Sequence, residues 1–98
     1  MDPDFDEFLH VPARLAVLAV LAPAGHVDFG FLRDAVGTSD SALSKQISAL
    51  GDAGYLTVDK NRDQGARRTR VGLTEAGRQA FRRHAAALER IAALARQS

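Results

Sequence analysis

"SALSKQISALGDAGYL", Ser41 to Leu56, is the stretch whose reading decides the fold. At about 100° per residue, Leu43, Ile47 and Leu50 share one face of a helix, and Ser41, Ser44, Lys45 and Ser48 share the opposite one. The helix also carries its own stop. With Ala53 as C-cap, Gly54 falls at C′, where a left-handed backbone is needed, and Tyr55 at C″ can fold back on Leu50. "YLTVD" then has strand composition, with Leu56 and Val58 on one face. A helix, a glycine stop and a strand therefore follow one another within sixteen residues. The outer face is odd for a solvent coat, because three serines and one lysine cover a helix less well than long charged side chains do.

Toward the N-terminus, "GTSD" makes a tight turn before this helix, and Ser39 or Asp40 can cap it. Phe29, Leu32 and Val36 have the spacing of a buried helical face, with Asp28 as a plausible cap and Val27 able to form a short strand before it. Further back, Pro12 suits the first turn of a helix whose stripe is Leu15, Leu18, Ala19 and Ala22, widened by Val17 and Leu21. "APAG" (Ala22 to Gly25) is read as its stop, Pro23 being unable to continue it and Gly25 permissive of a turn. "FDEFL" forms a short N-terminal arm.

Toward the C-terminus, "KNRDQGARR" is a polar turn and "RTRVGL" a second strand, in which Thr69, Val71 and Leu73 alternate with Arg68, Arg70 and Gly72. Together the strands predict a β-hairpin with a basic tip. Thr74 can cap a last helix, with Glu75 in its first turn. Phe81, Ala85, Leu88, Ile91 or Ala92, and Ala95 form a stripe longer than a small core requires, and a partner helix is the natural way to bury the excess.

At 98 residues the chain is expected to be one domain of mainly α structure with a small β-hairpin. Its parts are an arm over 1–10, a core over 11–73 and a long C-terminal dimerisation helix over 74–98. The net charge of +1 hides a segregation. Residues 1–59 hold three basic against nine acidic side chains, whereas 60–83 hold eight basic against two acidic. A basic block in a nearly neutral chain points to a local anionic partner. The apolar run Val11–Ala22 is too short to span a bilayer and carries Arg14, so no membrane role is expected. The acidic N-terminus does not resemble a secretory signal, and the absence of cysteine fits a cytoplasmic protein.

Helix, short helix, tight turn, helix, basic hairpin and long helix is the order of a winged helix-turn-helix. The sequence resembles the MarR/ArsR-like transcriptional regulators, especially their small single-domain members. The matching residues are "PARLAVLAVL", "VDFGFLRDAVG", "SALSKQISALGDAGYL" and "RRTRVGLTEAGR", which opens the last helix on an "LTxxGR" pattern. Two departures stand out: Gly51 replaces the acidic residue common after the recognition-helix leucine, and Val71 stands where an aromatic is more frequent.

The resemblance implies a prokaryotic DNA-binding transcriptional regulator, a repressor acting as a homodimer on a pseudo-palindromic operator. It also gives the serine face a purpose. A helix entering the major groove must approach closely, and short hydroxyls can bond to base edges or phosphates while Lys45 supplies reach. The expected recognition residues are Ser41, Ala42, Ser44, Lys45 and Ser48, with Ala42 placed to touch a thymine methyl. In the wing, Arg62, Arg67 and Arg68 are expected on phosphates or in the minor groove, with Lys60 and Arg70 of second rank. The dimer interface is expected from Phe5, Phe8, Leu15, Phe81, His84, Leu88, Ile91 and Ala95. Any small-molecule effector would sit there, between the first and last helices.

No catalytic residues are expected, since no phosphate loop or activated nucleophile is present. His10, His26 and His84 lack ligand spacing, so no metal and no cofactor are expected, a shared His10/His84 site across a dimer being the one arrangement to watch. The competing reading is a winged helix that grips an acidic protein partner without specific DNA binding.

Overall fold

Leu43, Ile47 and Leu50 are buried, and the rest of the chain is arranged to cover them. The computed structural model describes the backbone of residues 1–63 and 66–97, and the side chains of 1–60 and 68–97. Helix α1 (Pro12–Ala24) is followed by strand β1 (His26–Asp28), α2 (Phe29–Val36), α3 (Asp40–Asp52), β2 (Leu56–Asp63), β3 (Ala66–Leu73), α4 (Glu75–Leu94) and a final 3-10 turn, Ala95–Gln97. The strands form an antiparallel sheet in the order β1-β3-β2, with Val27 and Val58 both opposite Val71. The core combines Leu9 of the arm, Val17, Leu18 and Leu21 of α1, Leu32 of α2, the α3 trio, Leu56 and Val71.

The stop of α3 is the one its sequence specifies. Gly54 has φ of 84°, its N–H donates to the Gly51 carbonyl, and the Tyr55 N–H donates to the Leu50 carbonyl at 2.9 Å. These are the two bonds of a Schellman motif. Ser39 caps α3, its hydroxyl accepting from the Ala42 N–H, and Thr74 caps α4, accepting from the Gly77 N–H.

Four local expectations are corrected. Asp28 occupies the N-cap position of α2 but makes no capping bond; its carboxylate accepts instead from Arg68 at 3.4 Å. Pro23 lies inside the last turn of α1 and does not stop it; the helix runs to Ala24, and the stop expected within "APAG" falls to Gly25, with φ of 80°. A proline there forfeits one backbone bond near a helix end that frays anyway. Ala19 is exposed, because α1 turns Val17, Leu18 and Leu21 inward. On α4 the buried face is Gly77, Ala80, His84 and Ala87, and the stripe containing Leu88 and Ile91 is only half-covered.

The "LTEAGR" segment is a structural joint. Thr74 Oγ1 donates to the Gly54 carbonyl at 2.7 Å, and the Thr74 N–H donates to the Tyr55 carbonyl at 3.0 Å. Gly77 presses its backbone against that same Tyr55 carbonyl, so that an added Cβ would overlap the oxygen. Arg78 then reaches the free Ala22 carbonyl at the end of α1, at 2.8 Å. Three residues, Thr74, Gly77 and Arg78, thus tie the ends of α1 and α3 to the start of α4.

Candidate nucleic-acid interface

The α2–turn–α3 unit is held at its corner by charge. Arg33, in the last turn of α2, donates to Asp34 at 2.9 Å and to Asp40 at 2.8 Å, and its guanidinium is held protonated by those two carboxylates, Asp34 first. Asp40 complements the N-terminus of α3, and the Arg33 contact offsets its charge. The sequence reading missed this pair, whose signal was a basic residue seven positions before an acidic helix start.

From this corner α3 projects Ser41, Ala42, Ser44, Lys45 and Ser48, all exposed. Gln46 does not join them. It is half-buried, and its Oε1 accepts from Arg14 Nε at 2.8 Å. Ser44 and Ser48 line one side of an open groove of about 780 Å³, whose floor is Phe29, Ile47, Val58 and Val71. The other side is the wing, which contributes Lys60 and Thr69. Helix α3 and the wing therefore present hydroxyls and a cation to one space, with the Asp40 carboxylate, paired to Arg33, at its edge. Thr69 was not among the expected contacts; its place follows from strand alternation once the register is known.

Strand register sorts the wing cations. Lys60 is opposite Thr69, and both face α3. Arg70 is opposite Asp59 and lines a recess on the other face of the sheet, with Thr57, Asp59 and His26. Arg68 is exposed and bonded to Asp28, beside Thr69 and Arg33. The side chains of Arg62 and Arg67 lie outside the described residues.

The expected interface residues divide into two groups. Phe5 and His84 are already engaged within one chain, their rings 4.9 Å apart, and His84 is fully buried. Phe8 is partly exposed and stacks under the Arg14 guanidinium at 4.4 Å. Leu15, Phe81, Leu88 and Ile91 are half-buried, and Ala95 is exposed in the 3-10 turn. Leu94, next to it, is 63% exposed. Among the described residues no group of three or more metal-binding side chains occurs, and no helix is long and apolar enough to cross a membrane.

Residues 13–92 match the family of winged helix DNA-binding domains. Among solved structures the chain is similar to a transcriptional regulator homologue from Pyrococcus horikoshii OT3, with a TM-score of 0.83 at 22% identity, covering 88% of this chain and 85% of that one. It is similar to the PcaV transcriptional regulator from Streptomyces coelicolor in complex with its natural ligand, at TM-score 0.75 and 31% identity, covering 92% of this chain and 62% of that one. It also resembles a MarR-family transcriptional regulator from Silicibacter pomeroyi, at TM-score 0.67 and 25% identity, covering 86% of this chain and 58% of that one.

Proposed function

The chain belongs to the winged helix DNA-binding domain family, and from that premise we propose that it is a sequence-specific regulator of transcription, a repressor acting as a homodimer in the cytoplasm. The observation that carries this reading is the shared groove, where Ser44 and Ser48 of α3 and Lys60 and Thr69 of the wing face one another. That arrangement suits α3 in the major groove, reading base edges with short side chains, and the wing on the adjacent backbone. Ser41, Ala42 and Lys45 extend the α3 face; Arg68, with Arg62 and Arg67 of the same hairpin, supplies further positive charge.

Two copies joined along α4, α1 and the arm would place their recognition helices on successive major grooves about 34 Å apart, on a pseudo-palindromic operator. An effector, if the protein uses one, belongs between α1 and α4, where Ala22, Phe81 and Ala85 floor a recess rimmed by Arg78 and Arg82. The solved complex of PcaV with its natural ligand supports looking for one.

Titration of labelled duplex from the region upstream of its own gene tests the proposal. Binding should exceed that to random duplex and weaken steeply with salt as counterions are released. Equal affinity for both duplexes at moderate salt would favour an acidic protein partner instead.

A further inference from the structure

The arm is not a loose tail. At its outer end, Asp2 and Asp4 both accept from the Arg90 guanidinium of α4, Asp4 at 3.2 Å. At its inner end, the Asp6 N–H donates to His84 Nδ1 at 3.0 Å. That bond fixes the tautomer: the imidazole hydrogen must lie on Nε2, from which it is donated to His10 Nδ1, 3.2 Å away. Phe5 packs on both imidazoles. Beyond this clasp the Phe8 carbonyl accepts from Arg14 Nη1 at 2.8 Å, and Arg14 holds Gln46 of α3 through its Nε. Phe8 also lies 6.3 Å from Tyr55, the residue that closes α3. A continuous chain of contacts therefore runs from His84, through the arm and Arg14, to the recognition helix.

We propose that residues 5–10 form a proton-sensitive strap, docked on neutral His84, which sets the position of α3 through Phe8, Arg14 and Gln46. Its bearing on DNA rests on the regulator reading above. A second proton on His84 places an N–H against the Asp6 N–H, so one event removes the acceptor that holds the arm.

The ionisable groups facing His84 among the described residues are Asp6 and His10, both on the arm. Arg90 is occupied by Asp2 and Asp4, and Arg14, the one charged residue of α1, is turned to Phe8 and Gln46. Burial holds the His84 imidazole below its ordinary range, the His10 charge lowers it further, and Asp6 opposes both. A lowered histidine favours docking above its free value, and the contribution is lost as pH falls through the folded one. The Asp2 carboxyl, held down to about 2 chiefly by its bond to Arg90, stays ionised through that window. Acidification thus loosens the inner half of the strap while the outer end remains attached.

The test uses the full chain without DNA, isotope-labelled for NMR and titrated from about pH 7.5 to about pH 5. The Asp6 backbone amide and the Gln46 side-chain amide should move with one midpoint, below that of free histidine. Asp6 should also lose about tenfold or more of its protection from exchange, after correction for the intrinsic rate. His84→Asn keeps an acceptor for the Asp6 N–H but cannot titrate, and should flatten both curves. If that variant does not fold, His10→Asn on the exposed partner decides: by removing a neighbouring charge it should move the midpoint upward. An unchanged Asp6 amide in the natural chain overturns the strap, as does His84→Asn titrating like it. A Gln46 amide that ignores the transition overturns the link to α3. Duplex affinity that falls at low pH in the natural chain but not in His84→Asn supports regulation; an equal fall in both overturns it. Should no duplex bind at any pH, the regulator reading fails, while the NMR result still decides the strap.

Discussion

Gly77 and Gly51 are both helical glycines, and their surroundings assign them opposite consequences. A Cβ on Gly77 would overlap the Tyr55 carbonyl oxygen and press on Leu73, and the carbonyl is backbone that cannot rotate aside. Gly77→Ala is expected to cost about 2 kcal/mol, in the range of overpacked cores, seen as a lower urea midpoint. At Gly51 the nearest atom to such a Cβ is 3.9 Å away, an ordinary contact. Gly51→Ala should therefore raise stability by roughly 0.5–1 kcal/mol, since only the entropic penalty of glycine is removed. A loss at Gly51 of the size expected at Gly77 would show that the end of α3 is not packed as described. Thr74→Ala removes both the α4 cap and the bond to the Gly54 carbonyl, and should cost about 1–2 kcal/mol in the same assay.

At the scale of elements, what was legible in the sequence was what local rules govern. The α3 periodicity, its Schellman stop at Gly54 and the Thr74 cap each depend on a few neighbouring residues and are found in place, and of the two candidate caps for α3 the structure uses Ser39. The inner face of α4 was not legible, because glycine, two alanines and a histidine give no hydrophobic stripe. His84 is covered by an arm 74 to 78 positions away, which no local window contains. Nor could sequence say which way the wing cations point, since alternation fixes only their relative sides. Register places Lys60 toward α3 and Arg70 on the far face with Asp59. Lys60→Ala should thus lower affinity for all duplexes alike and reduce the salt slope by about one counterion, whereas Arg70→Ala should change both less. Substituting Ser44 and Lys45 should instead shift the preferred sequence, measured by selection from a random duplex pool. Reversal of the Lys60 and Arg70 effects would place the nucleic acid on the other face of the sheet.

The molecule as a whole is elongated, 58 × 24 × 21 Å, for a chain of 98 residues. Helix α4, of twenty residues, is roughly 30 Å long. Near its end Leu94 is 63% exposed beside half-buried Ile91, and Met1 of the arm joins them around one recess. Exposed apolar side chains gathered at one end are the kind of surface that partners cover. A second copy related by two-fold symmetry would bury this end against its own equivalent and lengthen the span between two recognition helices. Ile91→Glu with Leu94→Glu lies outside the core cluster, so the helical signal of the monomer should survive while four carboxylates oppose one another across the two-fold. Light scattering at tens of micromolar should then report a dimer for the natural chain and a monomer for the variant. Affinity for a palindromic duplex should fall by two orders of magnitude or more as the second half-site stops contributing, with affinity for an isolated half-site unchanged. A variant that stays dimeric would move the interface away from the end of α4, toward the half-buried Leu15 and Phe81 nearer the domain.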